Sequence, residues 1–281
     1  VERIKFLSSV FSINIAAYAI MSNHYHLVLQ VDKVTADAWS MDEVIERWYQ
    51  LFNGHLLVDR YLVGEDVSSA HLAKIEELTQ CWRERLHDIS WLMQCLNEHI
   101  SRRANKEDNC TGKFWEGRFK SQALLDEAAL LSCMAYVDLN PIRAAIASNL
   151  EASDFTSIKE RITQFKSYQR QKDKRNSDCK TVAQPKSLLP FAATLDTQAL
   201  PFSYADYFEL VDWSGRQIDP KKRGFIAKGE PKILSVLAID SDDWLTTVKE
   251  FRRQYGNFAG GERRLRDYAH RHGRSWCKGV G

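Results

Sequence analysis

Three short stretches carry side chains whose types and spacing could do chemistry. In SNHYHLVL, His24 and His26 flank Tyr25. On a strand, alternate residues face the same side with Cα atoms ~7 Å apart. Two imidazoles so placed can reach one metal ion, each through one ring nitrogen. Two polar residues on the open face of a hairpin would give the same pattern. In AYVDLNPIRAA, Tyr136 and Asn140 stand four apart and share a helix face if the helix persists that far. A tyrosine is a usable nucleophile when its oxygen faces a phosphate polarised by a metal, and an amide oxygen is a reasonable third ligand. A tyrosine whose ring packs in the core with its hydroxyl at the rim is the competing reading, and for an isolated helical tyrosine the commoner one. In GKFWEGRFKS, Phe114 and Trp115 are interleaved with Lys113, Arg118 and Lys120, and Arg102, Arg103 and Lys106 lie just before. Rings that stack bases and cations that hold phosphates suit single-stranded nucleic acid. A loop anchored in the core by its two aromatic rings is the competing reading.

These residues need elements to position them. Residues 1–11 have helical character. The apolar, β-prone runs 14–20 and 25–31 are separated by a Ser22-Asn23 turn signal and predict a β-hairpin. The two-residue period puts Tyr25, Leu27, Leu29 and Val31 on one face and His24, His26, Val28 and Gln30 on the other. Residues 40–100 read as helical, with a start at Ser40, a second helix over 68–88 and a third from about Asp88 to Ala104. In the third, Leu92, Cys95, Leu96, His99 and Ile100 share a face. A Gly-punctuated loop leads to a short strand near 118–125. Asp126 and Glu127 then suit the start of a helix with Leu130, Leu131, Met134 and Val137 buried, ending near Asn140 because Pro141 disfavours helical geometry before it.

Residues 166–190 are polar and charged and read as a linker. Residues 191–281 read as a smaller, mainly helical segment, with helices in KILSVLAI and in SDDWLTTVKEFRRQYG, the latter N-capped by Ser241. Net charge is only +2, but residues 251–281 are strongly basic. Such a segment suits a phosphate backbone, or simply makes a solvated helix face. The 44% hydrophobic content supports a packed core. No transmembrane or signal-peptide pattern is evident, so the expected location is the cytoplasm, without membrane association. The six cysteines include no CxxC pair, which argues against a zinc ribbon or a thioredoxin-type site.

Taken in order, SNHYHLVL, GKFWEGRFKS and AYVDLNPIRA resemble the single-tyrosine HUH transposases, in particular the insertion-sequence-200-like and REP-associated tyrosine transposases. The match spans roughly residues 1–161. It implies an α+β fold, with an antiparallel sheet and helices packed on one face, over 1–165. Residues 35–100 would be a large helical insertion, 166–190 the linker and 191–281 the basic helical C-terminal region. The family's first strand would precede Val1; a core without it would have an exposed sheet edge, which is an aggregation hazard.

The resemblance also implies a chemistry. Tyr136 attacks a DNA phosphate, becomes joined to the 5′ side and releases a 3′-OH. His24, His26 and, as a more variable ligand, Asn140 hold Mg²⁺ or Mn²⁺. Arg102, Arg103, Lys113, Arg118, Lys120 and Arg143 are phosphate-contact candidates, and Trp115, with Phe114, a base-stacking candidate. The expected partner is single-stranded or hairpin DNA, and a homodimer is an assembly the resemblance allows. The leading alternative is an inactive or domesticated relative that binds DNA hairpins without cutting. A metal hydrolase would need further ligands, and His55, His71, His87 and His99 show no ligand spacing. A paired-tyrosine initiator is disfavoured because position 132 is serine.

Overall fold

In a computed structural model, the described residues are 1–175, 184–192, 198–218, 230–274 and 277–278. The chain is mixed helix and sheet. Its described strands form two two-stranded sheets: an antiparallel hairpin, β1 (Ile13–Ile20) with β2 (Tyr25–Val31), and a minimal parallel pair, β3 (Ala123–Leu124) with β4 (Phe258–Ala259). Two compact units are present, and the division runs through the hairpin: residues 1–14 with 29–119, and residues 15–28 with 120–281.

The first unit is helical: α1 (Glu2–Val10), α2 (Lys33–Ala38), α3 (Met41–Tyr49), α4 (Leu56–Leu62), α5 (Ser69–Arg85) and α6 (Ile89–Glu107). Local signals set the helix starts. Ser40 forms a complete capping box with Glu43, and Ser68 and Asp88 cap α5 and α6. Long cations tie the elements together: Arg47 donates to the carbonyls of Ser9 and Val10, and Arg83 to those of Ala36 and Trp39. Trp48 stacks on Trp82 with ring centroids 5.5 Å apart. Of the residues expected to share one face of α6, Leu92, Cys95 and Leu96 are buried, Ile100 is half-buried and His99 is exposed.

The second unit holds the hairpin tip, α7 (Glu127–Asp138), α8 (Asn140–Arg143), a 3₁₀ turn (Leu150–Ala152), α9 (Ser157–Arg175), α10 (Tyr204–Ile218), α11 (Lys232–Val236), α12 (Ser241–Gln254) and α13 (Glu262–Arg271). One core joins Leu131, Met134 and Val137 of α7 to Ala17 and Val28 of the hairpin and to Leu210, Trp244 and Val248 of α10 and α12. Each of the larger side chains contributes about 1.5–3 kcal/mol by leaving water.

Several expectations change here. The short strand expected near 118–125 is present as two residues, β3, which pair in parallel with β4 and stop before the Asp126 cap of α7. The N-cap of α12 is Asp240, whose carboxylate accepts from Asp242 and Asp243; Ser241 instead donates to Glu230. The 166–190 segment is helical as far as Arg175, residues 176–183 lie outside the described residues, and Leu188 and Leu189 are buried. The apolar pair in its last residues overrides its polar composition. β1 is also not left bare. Its Ile20 N–H donates to Phe155, its Tyr18 N–H to the Ser157 hydroxyl, and its Ile15 and Ala16 carbonyls accept from the Leu189 N–H and from Arg161. Those bonds occupy polar groups that an exposed edge would offer to another chain.

Candidate metal and nucleophile site

The site lies in the second unit. The hairpin turn closes with Met21 N–H donating to the His24 carbonyl at 2.8 Å. His24 sits at the end of this turn, exposed, with Nδ1 2.7 Å from Asn23 Oδ1. His26 is on β2 and half-buried. The two rings meet edge to face with centroids 5.1 Å apart. Imidazoles sharing one cation at metal–nitrogen distances of about 2.1 Å would have centroids about 5 Å apart, so the spacing fits a shared ion. The Asn23 contact fixes one nitrogen of His24 and leaves the other for ligation, as partners of ligating histidines do.

Burial, then the neighbouring His24, Arg252 and Arg143, push the His26 pKa down from its ordinary 6.5 to about 4. His26 is therefore neutral near pH 7, the form that binds metal.

Tyr136 comes to the pair from α7. Asp126 caps that helix by accepting from Ala129 N–H at 2.8 Å, and the helix ends at Asp138, with Leu139 and the Asn140-Pro141 turn following. The half-buried Tyr136 ring lies edge-on to His26, with centroids 5.7 Å apart. Arg143 lies over the same ring, its guanidinium carbon 4.3 Å from the centroid, and donates to the Lys249 carbonyl at 2.5 Å. Phe251 packs on Tyr136 at 5.8 Å.

Asn140 is 8% exposed at the start of α8. It makes no hydrogen bond to either imidazole among the described residues. Nor do those residues contain a group of three or more His, Cys, Asp or Glu side chains able to hold a metal. The candidate ligands that meet are the two imidazoles. Such a sparse set suits a hard cation completed by water and substrate phosphate oxygens.

The end of α7 is anchored from below. Asp138, fully buried, accepts from the Ser157 hydroxyl at 2.6 Å, the Ile158 N–H at 3.0 Å and the Tyr207 hydroxyl at 2.6 Å. Burial raises its pKa, and those three donors and Arg161 pull it back. Sequence reasoning missed Asp138, Tyr207 and Phe251. The apolar spacing of Trp244, Val248 and Phe251 signals a buried face on α12, but nothing local identifies α7 as its partner.

The other binding candidates are placed as follows. Arg102 and Arg103 are exposed and paired with Glu98 and Glu107 on their own helix. Lys113, Arg118 and Lys120 are exposed. Trp115 is half-buried, its indole N–H donating to the Asn97 carbonyl at 3.0 Å. No helix among the described residues is long and apolar enough to cross a membrane. In the basic C-terminal region, Arg266 pairs with Glu262 and Arg274 lies over the Phe258 ring. No family model matches the chain, and no curated protein or solved structure matches it.

Proposed function

We propose that this chain is a metal-dependent single-tyrosine DNA strand transferase with an HUH-type core, acting on single-stranded or hairpin DNA. The observation that carries the reading is the meeting of His24, His26 and Tyr136, from two elements distant in sequence, in one cluster. Tyr136 bonds through its phenolic oxygen to a backbone phosphorus, the bond to the 3′ oxygen breaks, and the phenol's proton balances the released 3′-OH. The 5′-phosphotyrosine so formed keeps the bond energy, so a second 3′-OH can reverse the step and join strands. Arg143 steadies the ring of Tyr136 and, with Arg252, adds positive charge where a phosphate would sit. His24 and His26, with Asn140 as a third candidate, would hold Mg²⁺ or Mn²⁺, which when bound supplies Lewis-acid polarisation of the non-bridging oxygens. Lys113, Arg118 and Lys120 are candidate backbone contacts.

The test is incubation with end-labelled single-stranded and hairpin oligonucleotides plus Mn²⁺, read on a denaturing gel. A covalent protein–DNA adduct lost in Tyr136→Phe is expected. Hairpin binding without any adduct would replace this reading with that of a non-cutting binder.

A further inference from the structure

We infer that the groove at residues 101–118 of the first unit binds one unpaired base of a single-stranded DNA, with Phe114 as its stacking face. The inference takes its ligand class from the function proposed above, but it concerns a surface confined to the first unit. The groove is open, encloses about 480 Å³ and is lined by Ser101, Gly112, Lys113, Phe114, Trp115 and Arg118. That volume falls within the roughly 300–1,000 Å³ of small-ligand sites.

The two rings have different jobs. Trp115 is a wall: it is half-buried and its N–H is committed to Asn97. Phe114 stands edge-to-face on Trp115 at 4.9 Å and is 44% exposed, an apolar ring turned to water without a described burial partner on its other side. The loop is pinned to α6 twice, by the Trp115 bond and by the Asn105 amide donating to the Gly112 carbonyl at 3.1 Å. Gly112 has φ +119°, a conformation side chains rarely adopt, so glycine is needed for that turn. Such pinning lowers the ordering cost of binding.

Charge selects the occupant. Arg102 and Arg103 are neutralised by Glu98 and Glu107, whereas Lys113 and Arg118 have no acidic partner among the described residues. One exposed ring between two uncommitted cations matches a base with its flanking phosphates.

The experiment measures anisotropy of the full chain with fluorescein-labelled oligothymidine and with a duplex of equal length. Phe114→Ala is expected to weaken single-strand binding about 10-fold, leaving duplex affinity and thermal unfolding unchanged, and Phe114→Trp to retain it. The double variant Lys113→Ala, Arg118→Ala should lower the salt slope by about 1.4. Single-strand affinity unchanged in Phe114→Ala, or lost equally for duplex, overturns the inference. If Phe114 matters but no Tyr136 adduct forms, the groove stands and the strand-transfer reading falls. If the adduct forms and Phe114 is neutral, the reverse holds.

Discussion

Asp138 and Tyr207 form the anchor at the end of α7, and its strength can be measured. Replacing Tyr207 by Phe deletes one hydroxyl that donates to Asp138 at 2.6 Å, with both residues 0% exposed. Removing one partner of a buried hydrogen bond costs about 1–3 kcal/mol, so Tyr207→Phe should cost about 2 kcal/mol. Asp138→Ala removes more. It strips the acceptor from Tyr207, Ser157 and Ile158, and it leaves the buried Arg161 guanidinium without its nearby anion. A loss of about 3–5 kcal/mol is expected. The decisive quantity is the coupling. In the Asp138→Ala background the Tyr207 hydroxyl has lost its acceptor, so adding Tyr207→Phe should cost close to nothing, a coupling of about 2 kcal/mol. Urea unfolding of the four proteins, followed by tryptophan fluorescence and circular dichroism, measures it. Equal costs of Tyr207→Phe in both backgrounds would refute the reasoning.

Two further outcomes follow from single residues. The folded-state pKa of His26, about 4, is depressed below its ordinary 6.5, so its contribution to stability is present above pH 6.5 and lost as pH falls toward 4, where the unfolded chain takes up a proton that the folded one refuses. At about 1.4 kcal/mol per pH unit, and discounted for partial exposure, metal-free protein should lose roughly 2 kcal/mol over that window. His26→Gln should remove this part of the slope in urea titrations at pH 7 and pH 4.5, and an unchanged slope would count against it. Ala145, just past α8, has φ +56°, a region that costs a side chain about 1 kcal/mol, so Ala145→Gly should raise the unfolding free energy by up to about that amount, read as a higher urea midpoint. A lower midpoint would show that the strain is absent.

Much of the local structure was legible because its causes are local. The hairpin follows from two apolar runs around a turn, and α3, α5, α6 and α7 start where Ser40, Ser68, Asp88 and Asp126 can accept N-terminal amides. The candidate site was legible as residue types at particular spacings. Its walls were not. Phe251 packs on Tyr136, and the Lys249 carbonyl accepts from Arg143, both from the C-terminal region, which composition marked as a separate basic segment. Burial of α12 against α7 is a tertiary choice that helical periodicity leaves open. The short strand near 118–125 was legible as a strand, but β propensity gives neither its partner nor its length. Leu188 and Leu189 were hidden by the charges before them, since a composition window averages away a two-residue anchor.

The proposed strand transfer requires Tyr136 to form a phosphodiester with DNA with the help of the His24–His26 pair. Mass spectrometry of protease-digested protein after reaction with a single-stranded oligonucleotide and Mn²⁺ tests it most directly. One nucleotide-modified peptide is expected, with the modification on Tyr136, and its loss in the His24→Ala, His26→Ala double variant. Modification of another residue, or an undiminished Tyr136 adduct in that double variant, would contradict it.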